Sequence, residues 1–327
     1  MPSAIEVSGL TKDFKGFVAV DHASFSVNTG EVFGFLGPNG AGKTTTVRML
    51  CTLTRPSSGM ARVGGHDIVR EHDAVRKSIG IIFQDPSLDD RLTASENLRF
   101  HGMIYKVPRK ELPGRIRQAL SWMELEERQN DLVRNFSGGM KRRLEIGRGL
   151  LHSPRVLFLD EPTLGLDPQT RNRIWERLLQ LRRDQQVTLF LTTHYMDEAE
   201  NCDRIAIIDH GRIIALDTPQ ALKEQVQGDC VSLTTGDDRA AEAEVAARYG
   251  VVTTRDKNGV HFEVKDGAEF VPGLVRELSV SVLSVTVHPP TLEDVFLKLT
   301  GREIRDSEAS NHEKLKGRLQ RMGRAAR

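Results

Sequence analysis

Gly37-Pro38-Asn39-Gly40-Ala41-Gly42-Lys43-Thr44 places glycines, a lysine and a hydroxyl at the spacing GxxxxGK[ST]. Glycines let backbone amides turn inward around an anion where a Cβ would collide. Lys43 offers a point charge to terminal phosphates, and the Thr44 hydroxyl is a hard ligand for Mg²⁺. Further on, the apolar run 156–159 ends in Asp160-Glu161. Such a strand delivers two carboxylates beside a phosphate loop, Asp160 to hold the metal through water and Glu161 to polarise the attacking water, a role worth about 10²–10⁴ in rate. Acidic pairs at strand ends are often only solvated, but Pro162 and the run Thr163-Leu164-Gly165-Leu166-Asp167-Pro168 argue against that here. Gln84 and His194 each close an apolar run. Alone, either would more often be structural, and the other histidines show no metal spacing. Ser137-Gly138-Gly139 adds a second phosphate grip, since free N–H groups at a helix start attract anions. Two grips in one chain mean either two sites or half of a shared one.

The surrounding pattern predicts the elements these residues need. Short strands over 5–10, 18–20 and 23–27 precede the run 31–36, which enters the phosphate loop, and 43–53 follows as a helix. Strand, glycine loop and helix together are the context such a loop requires. Strand 78–83 stops at Gln84. Residues 86–134 read as an inserted helical subdomain broken by Pro108 and Pro113. Helix 169–183, strand 187–192 and a hairpin over 205–216 turning at His210-Gly211 complete an alternation that predicts a parallel-rich α/β core. After residue 228 the order β-α-β-β-α-β suggests a small ferredoxin-like α+β unit, closed by an amphipathic helix over 291–299. The expected domains are 1–225, 229–300 and a basic tail, 301–327.

Composition narrows the classes. There are 46 basic and 45 acidic residues, a net charge of +1, so no global field points to nucleic acid. Three scattered cysteines match no disulfide framework or metal motif, which fits a reducing compartment. No apolar stretch is long enough to span a bilayer, and the first residues lack a signal pattern, so a membrane role is expected to run through a partner. Lys314, Lys316, Arg318, Arg321, Arg324 and Arg327 form an acid-free end that could touch anionic lipid.

Taken in order, these motifs resemble the nucleotide-binding domain of ATP-binding cassette (ABC) transporters over residues 3–225. The resemblance implies a P-loop NTPase fold with a RecA-like core, an antiparallel β subdomain and a helical subdomain. It makes 37–44 the Walker A loop, with ATP contacts extending to Thr45, and Phe14 the adenine-stacking aromatic, Phe17 being the alternative. Gln84 becomes the Q-loop residue, a catalytic group and Mg²⁺ ligand alongside Thr44 and Asp160. Glu161 and His194 become the catalytic glutamate and switch histidine. Ser137, Gly138 and Gly139 become the signature that contacts ATP in trans. Finer stretches are similar to ABC-2 exporter ATPases of the daunorubicin-resistance type: Phe136-Ser137-Gly138-Gly139-Met140-Lys141-Arg142-Arg143, the run from Leu191 to Glu200, and the run from Pro290 to Gly301. Met140 departs from the broad superfamily, where glutamine is commoner. The family implies an ATP- and Mg²⁺-dependent ATPase that forms a head-to-tail homodimer and docks on separate permease subunits at the cytoplasmic membrane face. An importer subunit and a soluble cassette ATPase of translation or repair are the rivals. The latter is disfavoured because no coiled-coil heptads separate the two Walker motifs.

Overall fold

The computed structural model describes residues 3–84, 87–226, 228–256 and 258–300, so the basic tail and its expected lipid contact lie outside the described residues. The chain divides into two compact units, one up to Ile213 and one from Ile214 onward.

The first unit opens with two long strands, β1 (Ser3–Phe14) and β2 (Phe17–Asn28), then β3 (Val32–Leu36) and α1 (Lys43–Leu50). β4 (Ser58–Val63), β5 (His66–Asp67), α2 (His72–Ser78) and β6 (Ile79–Ile82) come next. α3 (Ala94–Ile104), α4 (Leu112–Trp122), α5 (Gly138–Leu150), β7 (Val156–Asp160) and α6 (Pro168–Gln185) follow. β8 (Thr188–Thr193), α7 (Met196–Ala199) and β9 (Arg204–Asp209) complete the order, and β10 (Arg212–Asp217) runs across the division between the units. Two sheets result, an antiparallel one ordered β2-β1-β4-β5 and a six-stranded one ordered β10-β9-β3-β8-β7-β6.

In the larger sheet β9, β3, β8, β7 and β6 run parallel. Every residue of β3, β7 and β8 is buried, as expected of strands covered on both faces. Phe33, Phe35 and Phe190 from this sheet pack with Phe25 of β2 at ring separations of 5.5–6.0 Å, and Phe158 lies 5.3 Å from Phe190, which joins the two sheets through one aromatic core. Register then sets the site. Leu36 lies beside Thr193, and Asp160 beside Thr192, so the carboxyl ends of β3, β8 and β7 open side by side.

Several elements differ from the sequence reading. β1 and β2 are longer than predicted, because bulges let them continue through the polar stretch around Lys12 and Asp13. β4, β5 and α2 were not expected, since their apolar residues are too few to mark a period. Pro113 does not break the insert. It sits in the first turn of α4, where its missing N–H leaves no intrahelical bond unmade. The preceding helix, α3, starts at a full capping box: the Thr93 hydroxyl accepts from Glu96 N at 3.2 Å, and the Glu96 carboxylate accepts from Thr93 N at 2.8 Å.

The second unit carries α8 (Pro219–Lys223), β11 (Asp229–Thr235), α9 (Asp238–Tyr249), β12 (Thr253–Asp256) and β13 (Gly259–Val264). α10 (Gly267–Glu277), β14 (Val282–His288) and α11 (Leu292–Thr300) follow. Its antiparallel sheet is ordered β12-β13-β11-β14. Val231, Leu233, Val260 and Phe262 on one face pack with Ala241 and Val245 of α9 and Leu274 of α10. The short spacing of these apolar positions is what allows so small a sheet its own core.

Candidate active site

The loop 37–44 leaves β3 and enters α1 through Gly42, whose φ of +109° suits glycine alone. A Cβ there would lie 2.5 Å from the Ala19 carbonyl oxygen. Lys43 follows as the first helical residue and is buried, 5% exposed. Its ammonium donates to the carbonyls of Gly37 at 2.6 Å and Pro38 at 3.3 Å, and lies 3.3 Å from Glu161 Oε1. A buried ammonium needs such partners, because each unmade bond to a charged group costs more than a bond to a neutral one.

Asp160 ends β7. Its Oδ1 accepts from the Thr192 hydroxyl at 2.5 Å and the Thr44 hydroxyl at 3.3 Å. Thus two of the three expected Mg²⁺ ligands, Thr44 Oγ1 and Asp160 Oδ1, meet, and the third, Gln84, does not join them. Glu161 is next, with a φ of +47° that few non-glycine residues adopt. Such a backbone costs of order 1–3 kcal/mol and persists only where neighbours hold it. The Glu161 N–H is fixed on Thr192, donating to its carbonyl at 3.2 Å and its hydroxyl at 3.1 Å. Oε1 also lies 3.4 Å from His194 Nδ1. Burial opposes the charge on Glu161, but the His194 hydrogen bond and the Lys43 charge outweigh it and hold the carboxyl below its ordinary value. Lys43, Glu161 and His194 therefore form one buried cluster, with Asp160 and Thr44 beside it.

Gln84 lies two residues beyond β6, exposed and outside that cluster. Phe14 and Phe17 pair across the β1–β2 hairpin tip, 48% and 58% exposed. Lys12 Nζ sits 4.8 Å above the Phe14 ring. Thr45 is in the first turn of α1 and half-buried. Ser137 caps α5, its hydroxyl accepting from Met140 N at 3.3 Å. Ser137 and Gly138 are exposed. Gly139 packs against the start of α6, where a Cβ would meet Thr170 Cγ2 at 2.5 Å. The methionine at 140 thus contributes its backbone to the cap.

Three buried charges were missed by motif reading. Arg142 is 6% exposed and Glu145 and Glu198 each 1%. Glu198 accepts from the hydroxyls of Thr193, at 2.7 Å, and Thr163, so it joins the segment after Glu161 to the strand end before His194. Burial raises its carboxyl, with the Thr193 bond and Arg171 opposing. Arg142 and Glu145 share a helix with the signature. The signal available in the sequence was opposite charges at i and i+3 on a helix, which is ordinarily a solvated pattern.

Comparison with known proteins agrees with this geometry. Residues 20–164 match the ABC transporter family, and residues 218–300 match the C-terminal domain of ATP-binding protein DrrA1-3-like proteins. The daunorubicin/doxorubicin resistance ATP-binding protein DrrA of Streptomyces peucetius is 41% identical over 324 residues, 95% of this chain and 98% of that protein. Nod factor export ATP-binding protein I of Ralstonia nicotianae is 40% identical, over 92% of this chain and 95% of that protein. Among solved structures, the post-hydrolysis dimer of the ATP-binding cassette MJ0796 with ADP and Pi aligns at a TM-score of 0.60 and 26% identity, covering 65% of this chain and 98% of that one. The chain belongs to the ABC transporter family, as an ATP-binding and ATP-hydrolysing subunit of the DrrA-like exporter branch.

Proposed function

We propose that two copies of the chain close head to tail over two ATP molecules, and that hydrolysis reopens them to drive separate permease subunits. The observation that carries this reading is the asymmetry of the two phosphate grips. One is enclosed with Lys43, Glu161 and His194. The other, at Ser137, is exposed and packs on Leu166 and Thr170 rather than on that cluster. A second chain would supply what each lacks.

ATP phosphates compete with Gly37, Pro38 and Glu161 for the Lys43 ammonium. As Lys43 turns to them, Glu161 loses a counter-charge and becomes a better base, still oriented by His194. Glu161 then takes a proton from water as the water oxygen attacks the γ-phosphorus. The bond to the ADP oxygen breaks, releasing ADP and inorganic phosphate. Thr44 and Asp160 offer an all-oxygen donor pair of the kind Mg²⁺ prefers, and the ion would neutralise charge on the phosphates. Gln84, exposed and outside the cluster here, would have to move to the bound phosphates to pass their state to the helical insert.

On that insert, α3 exposes Phe100, Met103 and Ile104, each about 60% exposed, which supports docking of an apolar permease segment. No helix among the described residues is long and apolar enough to cross a membrane. The proposed work is delivered at the cytoplasmic face of the membrane, where ATP is available. Similar identity to a daunorubicin/doxorubicin resistance protein and to a Nod factor export protein supports cargo choice by the permease rather than by this subunit. Light scattering with ATP tests the dimer: Glu161→Gln should shift to dimer mass and Ser137→Ala with Gly139→Val should not.

A further inference from the structure

We propose that Arg142, Glu145 and Arg148 form a charged row on the signature helix that positions Glu161 and holds Phe83 and Ser87. The inference rests on the assignment of Glu161 as the base. The three residues fall at i, i+3 and i+6 of α5, on one face. Arg142 stands 3.2 Å from Glu145, and Glu145 stands 3.8 Å from Arg148.

Each end of the row grips backbone. The Arg142 guanidinium donates to three consecutive carbonyls, Asp160 at 3.1 Å, Glu161 at 3.2 Å and Pro162 at 2.6 Å. It donates a further bond to the Phe83 carbonyl, directly before Gln84. Beyond Gln84, Glu145 accepts from Ser87 N at 2.7 Å, and Arg148 donates to the Ser87 carbonyl at 2.7 Å and hydroxyl at 2.5 Å. Every polar group of Ser87 is thereby tied to α5. Phe83, directly before Gln84, and Ser87 are thus both held by the helix that starts at Ser137.

The same guanidinium holds the carbonyl of Glu161, whose φ of +47° is left-handed, so it fixes where the Glu161 carboxylate points. A buried ion pair is weak grounds for stability, since an apolar replacement is often as good. It is a strong means of fixing geometry, because the planar fork sets several acceptors at once. Lysine keeps the charge without the fork. Arg142 is therefore a positioning residue, acting through Glu161.

Arg142→Lys in the full-length chain tests this. The expected result is a kcat for ATP hydrolysis lower by roughly ten- to a hundredfold, the usual cost of a misplaced catalytic group, with ATP affinity and thermal midpoint unchanged. In a Glu161→Gln background the same substitution should cost nothing further in single-turnover hydrolysis, because the group it positions is gone. Glu145→Gln, which keeps an acceptor for Ser87 but drops the charge facing Arg142, should show the same pattern more weakly. A wild-type kcat in Arg142→Lys overturns the proposal. So does a loss carried in full into the Glu161→Gln background, or failure of both variants to fold, each of which marks a purely structural role. Brisk hydrolysis by Glu161→Gln alone would instead overturn the base assignment on which the inference rests.

Discussion

The loop at 37–44 and the turn at 137–139 are both able to grip phosphate, yet they are built differently. The first lies at the buried ends of three parallel strands, and its lysine is saturated by its own chain. The second is an exposed helix start whose serine is occupied only by its own cap. Burial fixes a geometry before the ligand arrives, whereas exposure leaves a surface for another molecule to complete. On the proposed reading, catalysis and its completion by a second copy are separated within one chain, with α5 carrying the exposed turn at its start and Arg142 on the Asp160 and Glu161 carbonyls. Replacing Glu161 by Gln should strain the comparison hardest. Hydrolysis should fall by about 10²–10⁴ while ATP still binds, since only the proton acceptor is removed. A phosphate-release assay beside a nucleotide titration separates the two, and near-normal turnover would remove the buried site's claim to the chemistry.

Mixing inactive chains asks whether the exposed turn serves the other copy. Lys43→Ala removes the enclosed grip, and should weaken ATP binding roughly ten- to a hundredfold, the worth of a charged hydrogen bond. Gly139→Val blocks the exposed one by meeting Thr170. Neither homodimer retains an intact site. A mixed dimer in a two-fold assembly retains one, so mixing equal amounts should restore about a quarter of wild-type hydrolysis. Absence of any rescue, with mixed dimers present by mass, would mean that both grips act within one chain.

A pH profile sharpens the enclosed side. Glu161 is held below the ordinary carboxylate value, so its charge is present above that value and lost only as pH falls through the lowered one. Wild-type kcat/KM, which reports the nucleotide-free chain, should therefore show no acid limb from Glu161 in the neutral range. His194→Ala removes a bond that favours the charge and leaves burial, which opposes it, so the acid limb should move upward. An unmoved limb would mean that the 3.4 Å approach of His194 does not bias Glu161.

The two grips also differ in how far the sequence revealed them. Gly37, Lys43 and Thr44 sit in a fixed spacing because local backbone alone makes the loop, and Asp160-Glu161 ends a run too apolar to be anything but a buried strand. The partners of these groups were less legible. Arg142, Glu145 and Glu198 act across tens of residues, and their value comes from burial, which a single charged letter conceals. β4 and α2 were missed for a related reason: Ser58–Val63 becomes a strand by pairing with β1, not by its own pattern. What is local in physics was readable, and what depends on pairing was not.

The hairpin tip offers the smallest and finest test. Phe14 and Phe17 are cross-strand partners on the same tip, both exposed, so geometry alone gives either ring access to a base. They differ in one contact, the Lys12 ammonium 4.8 Å over Phe14. That cation already sits where a stacked base would, and a base must displace it or share the ring from the other face. A stacking contact is worth about 1–3 kcal/mol, and at so open a position the low end applies. Phe14→Ala should therefore weaken ATP binding about fivefold, an RT-scaled 1 kcal/mol, and leave triphosphate alone unaffected, because only the base is stacked. Phe17→Ala should do neither. If the two results are exchanged, the base lies against Phe17 and the Lys12 contact marks Phe14 as the ring that shields the tip. If neither ring matters, nucleotide recognition rests wholly on the enclosed phosphate loop, and the contrast between a built grip and a borrowed one extends to the base as well.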